Sequence, residues 1–155
     1  MTAPVLSVRG LSVAYESRGR RIPAVSDLDL TIEPGQTVVL VGESGSGKST
    51  TAAAIVRVLA VNAQIGGGSI EIAGLDVLRL ADRAARRTIG RTVGYVPQDP
   101  TVSLNPVKTV GAQVAEPLRV HLGFDRRRAA ARTVEILGEV GLDRPAERAR
   151  QYPHE

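Results

Sequence analysis

The chain has 155 residues, a length that suits one ordinary domain and is short for two. Hydrophobic residues make up 43% of it, and because only three Tyr and one Phe are aromatic, its core must be aliphatic. The net charge is +4, and the absence of cysteine excludes disulfides and thiolate metal sites.

The first forty residues predict antiparallel strands followed by a buried strand. Residues 5–15 alternate apolar and polar around Gly10, which predicts a hairpin or a pair of short edge strands. Residues 24–32 alternate as well, which is typical of a strand with one solvated face, and residues 33–36 form a turn. Residues 37–41, TVVLV, are a continuous apolar and β-branched run, which predicts a strand buried on both faces of a parallel sheet.

The rest of the chain alternates between helical and strand patterns and ends in helices. In chain order we predict a helix over 48–61, a loop followed by an alternating strand over 66–74, a short helix over 82–90, a buried strand over 92–98, and helices over 109–122 and 125–142. Asp125 is the expected N-cap of the last helix and Gly141 its stop. Its expected apolar side contains Ala130, Val134 and Leu137.

Targeting and nucleic-acid signals are weak in this sequence. The N-terminus has no basic start followed by a long apolar run, so no signal peptide is expected. The longest apolar run, residues 51–61, is short and contains Arg57, so no membrane span is expected. The arginine clusters are interspersed with acidic residues and lack interleaved aromatics, which favours solvated faces over a nucleic-acid surface.

The stretch GESGSGKST matches the phosphate-loop pattern G-x-x-x-x-G-K-[ST] between a predicted strand and a predicted helix. Its glycines allow positive φ angles and close approach to a phosphate, and the following helix presents free N–H groups to the same anion. Lys48 would reach the β and γ phosphates, and the Ser49 hydroxyl would bind Mg²⁺. The candidate nucleotide-binding residues are Gly42, Glu43, Ser44, Gly45, Ser46, Gly47, Lys48, Ser49 and Thr50.

The choice of lysine at position 48 supports this interpretation. Of twenty basic residues only two are lysine, at 48 and 108, so the chain uses arginine almost everywhere else. A compact ammonium fits inside a phosphate loop, whereas a planar guanidinium would not. The GGGS stretch at 66–69 lacks a lysine and precedes a strand, so we interpret it as a flexible connection.

Three further features identify a family, since phosphate loops occur in many. No N-K-x-D guanine-reading motif is present, which disfavours a GTPase. Tyr15 lies in LSVAYES before the loop, Gln98 follows a predicted strand in VGYVPQDP, and the last third is helical. With these features the chain resembles the ATPase domain of ATP-binding cassette (ABC) transporters. The string QDPTVSLNP, residues 98–106, resembles the dipeptide, oligopeptide and nickel importer group.

The resemblance implies an α/β fold of the P-loop NTPase type, an ABC ATPase core with N-terminal antiparallel strands and part of the helical subdomain. Residues 1–155 would form a partial domain: strands and P-loop core up to the Q-loop over 1–100, helical subdomain over 101–155. In that family the aromatic at Tyr15 stacks on adenine, which is worth about 1 kcal/mol. In that family the glutamine at Gln98 approaches Mg²⁺ and the attacking water. The candidate catalytic residues are therefore Lys48, from the phosphate loop, and Gln98. The candidate metal ligands are Ser49 and Gln98.

The resemblance also implies the cofactors, partners and location. ATP and Mg²⁺ would bind between this subunit and a second ABC ATPase subunit, identical or different. Transmembrane permease subunits would hold the protein at the cytoplasmic face of the bacterial inner membrane. Nucleic acid is not an expected partner. The function expected of the complete protein is ATP hydrolysis that powers import, foremost of di- or oligopeptides, with nickel or another small solute as the alternative cargo.

Several family elements do not occur in these 155 residues: the LSGGQ-like signature, the strand that ends in a Mg²⁺-binding Asp, the Glu that follows it, and the switch His. His154 precedes the place of the signature and is not that His, and His121 is expected on a helix surface. The chain is therefore expected to be truncated just before the signature and inactive in hydrolysis by itself. The alternative is a non-catalytic fragment that binds nucleotide weakly or not at all. Without the missing strand, residues 37–41 and 92–98 would lack a pairing neighbour.

Overall fold

The computed structural model describes residues 3–99 and 103–155, and the chain divides into two units, Met1–Val93 and Gly94–Glu155. In chain order the elements are β1 (Leu6–Ser17), β2 (Arg20–Ile32), α1 (Lys48–Ile55), β3 (Ala63–Ile72), β4 (Leu75–Asp76), α2 (Asp82–Thr92), α3 (Val110–Leu122), α4 (Arg126–Glu139) and α5 (Pro145–Arg148). The predicted subdomain boundary after residue 100 lies outside the described residues and stays a prediction.

The first unit is built on an antiparallel sheet of strand order β2-β1-β3-β4. The prediction of two short strands around Gly10 is wrong, because β1 is one strand that passes through this glycine. Gly10 adopts a φ of 57°, and its N–H donates to a carboxylate oxygen of Asp29 at 2.8 Å. The pairing shifts register here on both sides of β1, so the glycine marks a bulge and not a turn.

The core of this unit is aliphatic, as the composition predicts. Buried side chains from β1 and β3 share one cluster with Ala54 of α1, Ile89 of α2, and two residues that directly follow α1 and β4. The members are Val8, Leu11, Val13, Ala54, Val56, Ile70, Ile72, Val77 and Ile89. Removing such a side chain from water contributes about 1.5–3 kcal/mol for each Val, Leu or Ile. This cluster fixes the position of α1, the helix that follows the phosphate loop.

The α1 helix is shorter than the predicted 48–61, because the chain leaves helical geometry at Arg57, whose φ is 55°. The Arg57 guanidinium donates to the carbonyl oxygens of Val77 and Leu80 at 3.1 and 3.3 Å, and to a carboxylate oxygen of Asp82 at 2.8 Å. The side chain thus ties the end of α1 to the segment that leads into α2. The predicted helix over 82–90 is confirmed as α2.

The two strands predicted for a parallel sheet do not form in the described part of the chain. Residues 37–41 and 93–97 carry no strand pairing. Val39, Val41 and Val96 are 74%, 89% and 93% exposed, so neither segment is buried as predicted. The reason is physical: a strand is stabilised by neighbours on both edges, and within the described residues no strand pairs with these segments.

The second unit consists of helices. α4 begins at the predicted N-cap, where the Asp125 carboxylate accepts from the Arg128 N–H at 2.8 Å, and it ends two residues before Gly141. Its buried face differs from the predicted one, since Ala129 and Thr133 are buried with Leu137. Arg132 lies on the exposed side of α4. Its hydrogen bond to Glu139, and to a lesser extent the one to Glu135, raise the pKa of its guanidinium.

α3 and α4 pack on each other within this unit. On α3, Leu118 is buried while Leu122 is exposed. His121 was expected on the surface, but it is half-buried, and its Nδ1 has no hydrogen-bond partner among the described residues. Within residues 3–99 and 103–155, every helix is too short or too polar to span a bilayer.

Candidate nucleotide-binding site

The candidate phosphate loop, residues 42–50, runs directly into the N-terminus of α1. The helix begins at Lys48, and Gly47 in the N-cap position has a φ of 90° and no side chain to cap the first turn. The first intrahelical bond runs from the Thr51 N–H to the Gly47 oxygen at 2.8 Å, and the Thr51 hydroxyl donates to the same oxygen at 3.0 Å. The N–H groups of Lys48, Ser49 and Thr50, in the first turn, have no intrahelical partner and remain available to an anion, which the helix dipole attracts.

Within the described residues, only one of the three loop glycines has a backbone neighbour that leaves no room for a side chain. A Cβ on Gly47 would overlap the carbonyl oxygen of Ala24 in β2, and one on Gly42 would lie 2.8 Å from the Ser46 hydroxyl oxygen. Gly45 differs, because it has a φ of 82° but open space around it. Two causes therefore favour glycine in the loop: close packing on backbone at 47, and positive φ angles at 45 and 47, whereas the Ser46 hydroxyl near position 42 can rotate away.

Lys48 folds back into its own loop. Its ammonium nitrogen lies 2.8 Å from the Gly42 carbonyl oxygen, 2.7 Å from that of Glu43 and 3.2 Å from the Ser46 hydroxyl oxygen. These contacts use the three N–H donors of an ammonium. The positive charge lies at the centre of the loop, where a bound phosphate would replace carbonyl oxygens as its partner.

Tyr15 and Ser49 are the predicted adenine platform and the predicted Mg²⁺ ligand. The Tyr15 hydroxyl is 3.1 Å from the hydroxyl of Thr50, so the structure brings the predicted base platform to the first turn of α1. Ser49 is exposed, and its hydroxyl has no hydrogen-bond partner in residues 3–99 and 103–155. A free hydroxyl oxygen beside a phosphate loop fits Mg²⁺, which takes oxygen ligands and relies on phosphates for most of its binding. An open pocket of about 300 Å³ lies between the loop and β2.

Gln98 belongs to the second unit, where it lies exposed at a bend, after the irregular residues 93–97. Its predicted role beside Mg²⁺ and the attacking water stays a prediction. The string QDPTVSLNP that carries the importer resemblance is described only in part, because residues 100–102 lie outside the described residues.

Sequence reasoning missed two contributors to the site. Ala24 provides the carbonyl oxygen that packs on Gly47, and no local signal could reveal it, since the contact depends on how β2 approaches the loop. Thr51 holds the first turn through its hydroxyl, and the run of Thr50 and Thr51 at a helix start could have indicated such a role.

Comparison with known proteins identifies the family. The family model described as ABC transporter matches residues 25–155. A candidate peptide import ATP-binding protein of Brucella ovis is 47% identical over 98% of this chain, and the oligopeptide transport ATP-binding protein OppD of Mycobacterium tuberculosis is 44% identical over 99%. The chain belongs to the ABC transporter family, which confirms the family predicted from the phosphate loop and its neighbours.

This chain spans only part of these relatives: 47% of the length of the Brucella ovis protein and 25% of OppD. Among solved structures, a dimeric ATP-binding cassette in a post-hydrolysis state bound to ADP and Pi superposes with a TM-score of 0.83. The two sequences are 23% identical, and the match covers 96% of this chain and 62% of that one. This likeness confirms the predicted fold class, part of an ABC-type P-loop ATPase domain.

Proposed function

We propose that these residues are the nucleotide-binding part of an ABC ATPase subunit that powers import of di- or oligopeptides into bacteria. The observation that carries the proposal is the phosphate loop at the start of α1, with the Lys48 ammonium at its centre. The names of the relatives support peptides as the cargo. Nickel or another small solute is the alternative cargo.

Each site residue has a proposed role. The loop amides and Lys48 hold the β and γ phosphates, Ser49 provides an oxygen to Mg²⁺, and Tyr15 forms the platform for adenine. Mg²⁺, when bound, neutralises charge on the phosphate oxygens. Gln98 is proposed to approach Mg²⁺ and the attacking water, a role that its match to the family's Q-loop glutamine implies.

The proposed assembly contains a second ABC ATPase subunit, identical or different, and permease subunits that hold the pair at the cytoplasmic face of the bacterial inner membrane. The dimeric form of the structural neighbour supports the first partner, and the import names of the relatives support the second. We further propose that these 155 residues bind ATP but hydrolyse it negligibly, because their sequence contains neither the signature nor the acidic residues that complete the family's site.

Nucleotide titration tests the proposal, with a matched pair of lysine variants. Lys48→Ala is expected to weaken binding of a fluorescent ATP analogue at least about tenfold, since a charge-assisted contact to phosphate contributes about 1.5–3 kcal/mol. Lys108→Ala removes the other lysine, which pairs with Glu116 at 3.6 Å on the second unit, and should leave affinity unchanged. Equal affinity of the Lys48→Ala variant and the unmodified chain would reject the proposal.

The Mg²⁺ role has its own test. Ser49→Ala should weaken ATP binding several-fold with Mg²⁺ present and leave binding in EDTA unchanged, because only the metal-dependent contact is lost. Equal loss in both conditions would assign Ser49 to phosphate binding instead of metal binding.

A further inference from the structure

A hydrogen bond connects two parts of the candidate site that are far apart in sequence. The hydroxyl oxygens of Tyr15 on β1 and Thr50 on α1 are 3.1 Å apart across 35 residues, and either group can donate. Both side chains are half-buried. The contact therefore joins the predicted base platform to the helix that begins in the phosphate loop.

The tyrosine is anchored at both ends. Its backbone is held in the sheet, where Tyr15 pairs with Ile22 of β2 and Ala63 of β3. Its far end is held by Thr50. Any other χ1 rotamer of Tyr15 would break the hydrogen bond to Thr50. The direction in which the ring leaves the strand is therefore defined before a ligand binds.

The bond leaves one motion free. The hydroxyl lies on the axis about which a tyrosine ring turns, so the hydrogen bond fixes the direction of that axis but not the tilt of the ring plane around it. A platform of this kind can adjust its face to a flat base while staying at a constant distance from α1.

We propose that Thr50 is a positioning residue for Tyr15, and that the bond between their hydroxyls couples base recognition to the phosphate loop. The inference depends on the proposed function, since it assigns an arrangement within the same site. Its consequence is selectivity: the bond favours nucleotides, which use both the platform and the loop, over a bare polyphosphate, which uses only the loop.

Two probes separate these contributions, ATP and inorganic tripolyphosphate, each titrated against the 155-residue chain. Tyr15→Phe removes only the hydroxyl and is expected to weaken ATP binding about two- to tenfold, the range of a single net hydrogen bond, with tripolyphosphate affinity unchanged. Thr50→Val should weaken ATP binding by at least as much, because Thr50 also lies in the loop. Thr50→Ser keeps the hydroxyl and should restore ATP binding.

The double variant decides whether the two groups act together. If the bond is responsible, Tyr15→Phe in the Thr50→Val background should have almost no further effect on ATP binding. The same cycle measured by urea unfolding without nucleotide should also give non-additive changes, which keeps the inference testable if a variant binds poorly. Additive effects on ATP, or an equal loss of tripolyphosphate binding in Tyr15→Phe, would overturn it.

Lys48→Ala distinguishes a failed inference from a failed function. If Lys48→Ala no longer binds ATP or tripolyphosphate while Tyr15→Phe binds ATP normally, the nucleotide site is supported and only the role of Thr50 is rejected. Normal binding of both probes in Lys48→Ala would reject the nucleotide site itself.

Discussion

Gly47 faces the carbonyl oxygen of Ala24 so closely that a β-carbon at position 47 would overlap it. The phosphate loop thus rests directly on the backbone of β2. A loop often treated as a local motif is here also a packing element of the sheet unit.

This contact predicts unequal effects for two similar substitutions. Gly45→Ala and Gly47→Ala both place an alanine at a positive φ, 82° and 90°, which costs about 1–2 kcal/mol. Gly47→Ala also meets Ala24, so its midpoint in urea unfolding should fall clearly below that of Gly45→Ala. Equal midpoints would mean that β2 moves away from the loop without cost.

The position of Lys48 predicts a structural effect even without nucleotide. Lys48→Met removes the donor that holds the Gly42 and Glu43 carbonyl oxygens together. The loss of about 1 kcal/mol should accelerate hydrogen exchange of the Ser46 amide, which donates to the Glu43 carbonyl oxygen at 3.2 Å, about fivefold. Lys108→Met is the control and should leave that exchange unchanged; if Lys48→Met does so too, the lysine does not order the empty loop.

Two buried threonines should respond in opposite directions to the same isosteric change. Thr133 is 1% exposed, and its hydroxyl has no partner among the described residues, so Thr133→Val should raise the free energy of unfolding by about 1 kcal/mol. Thr51 is 4% exposed and donates to Gly47, so Thr51→Val should lower it by about 1 kcal/mol. Urea denaturation measures both, and a destabilised Thr133→Val chain would point to a partner, such as an internal water, for that hydroxyl.

Arg57 should contribute more to stability than its ion pair alone. Arg57→Ala removes hydrogen bonds to Val77, Leu80 and Asp82 and should cost about 1–3 kcal/mol of unfolding free energy. Asp82→Asn removes only the charge of the exposed partner and should cost at most about 1 kcal/mol. Equal losses in thermal or urea unfolding would mean that the ion pair, and not the two carbonyl contacts, carries the effect.

Much of the site could be predicted from sequence because its signals are local. The phosphate loop needs glycines, a lysine and a helix start within nine residues, and the structure has α1 beginning at Lys48. The Asp125 cap could be predicted for the same reason, since its bond spans three residues.

The wrong predictions concern features that distant residues decide. Residues 37–41 have the composition of a buried strand, but a strand forms only where a neighbour pairs with it. Gly10 resembles a turn residue, but pairing along both edges of β1 carries the strand through it as a bulge. The burial of Thr133 in place of Ala130 likewise reflects how α4 packs on α3.

The exposed valines at 39, 41 and 96 have a consequence for handling this polypeptide at the bench. Unpaired backbone groups next to exposed apolar side chains promote self-association of the chain. Concentrated samples should therefore scatter light, and the protein should bind the dye ANS. Nucleotide titrations are therefore best carried out at low protein concentration, where self-association does not compete with nucleotide binding.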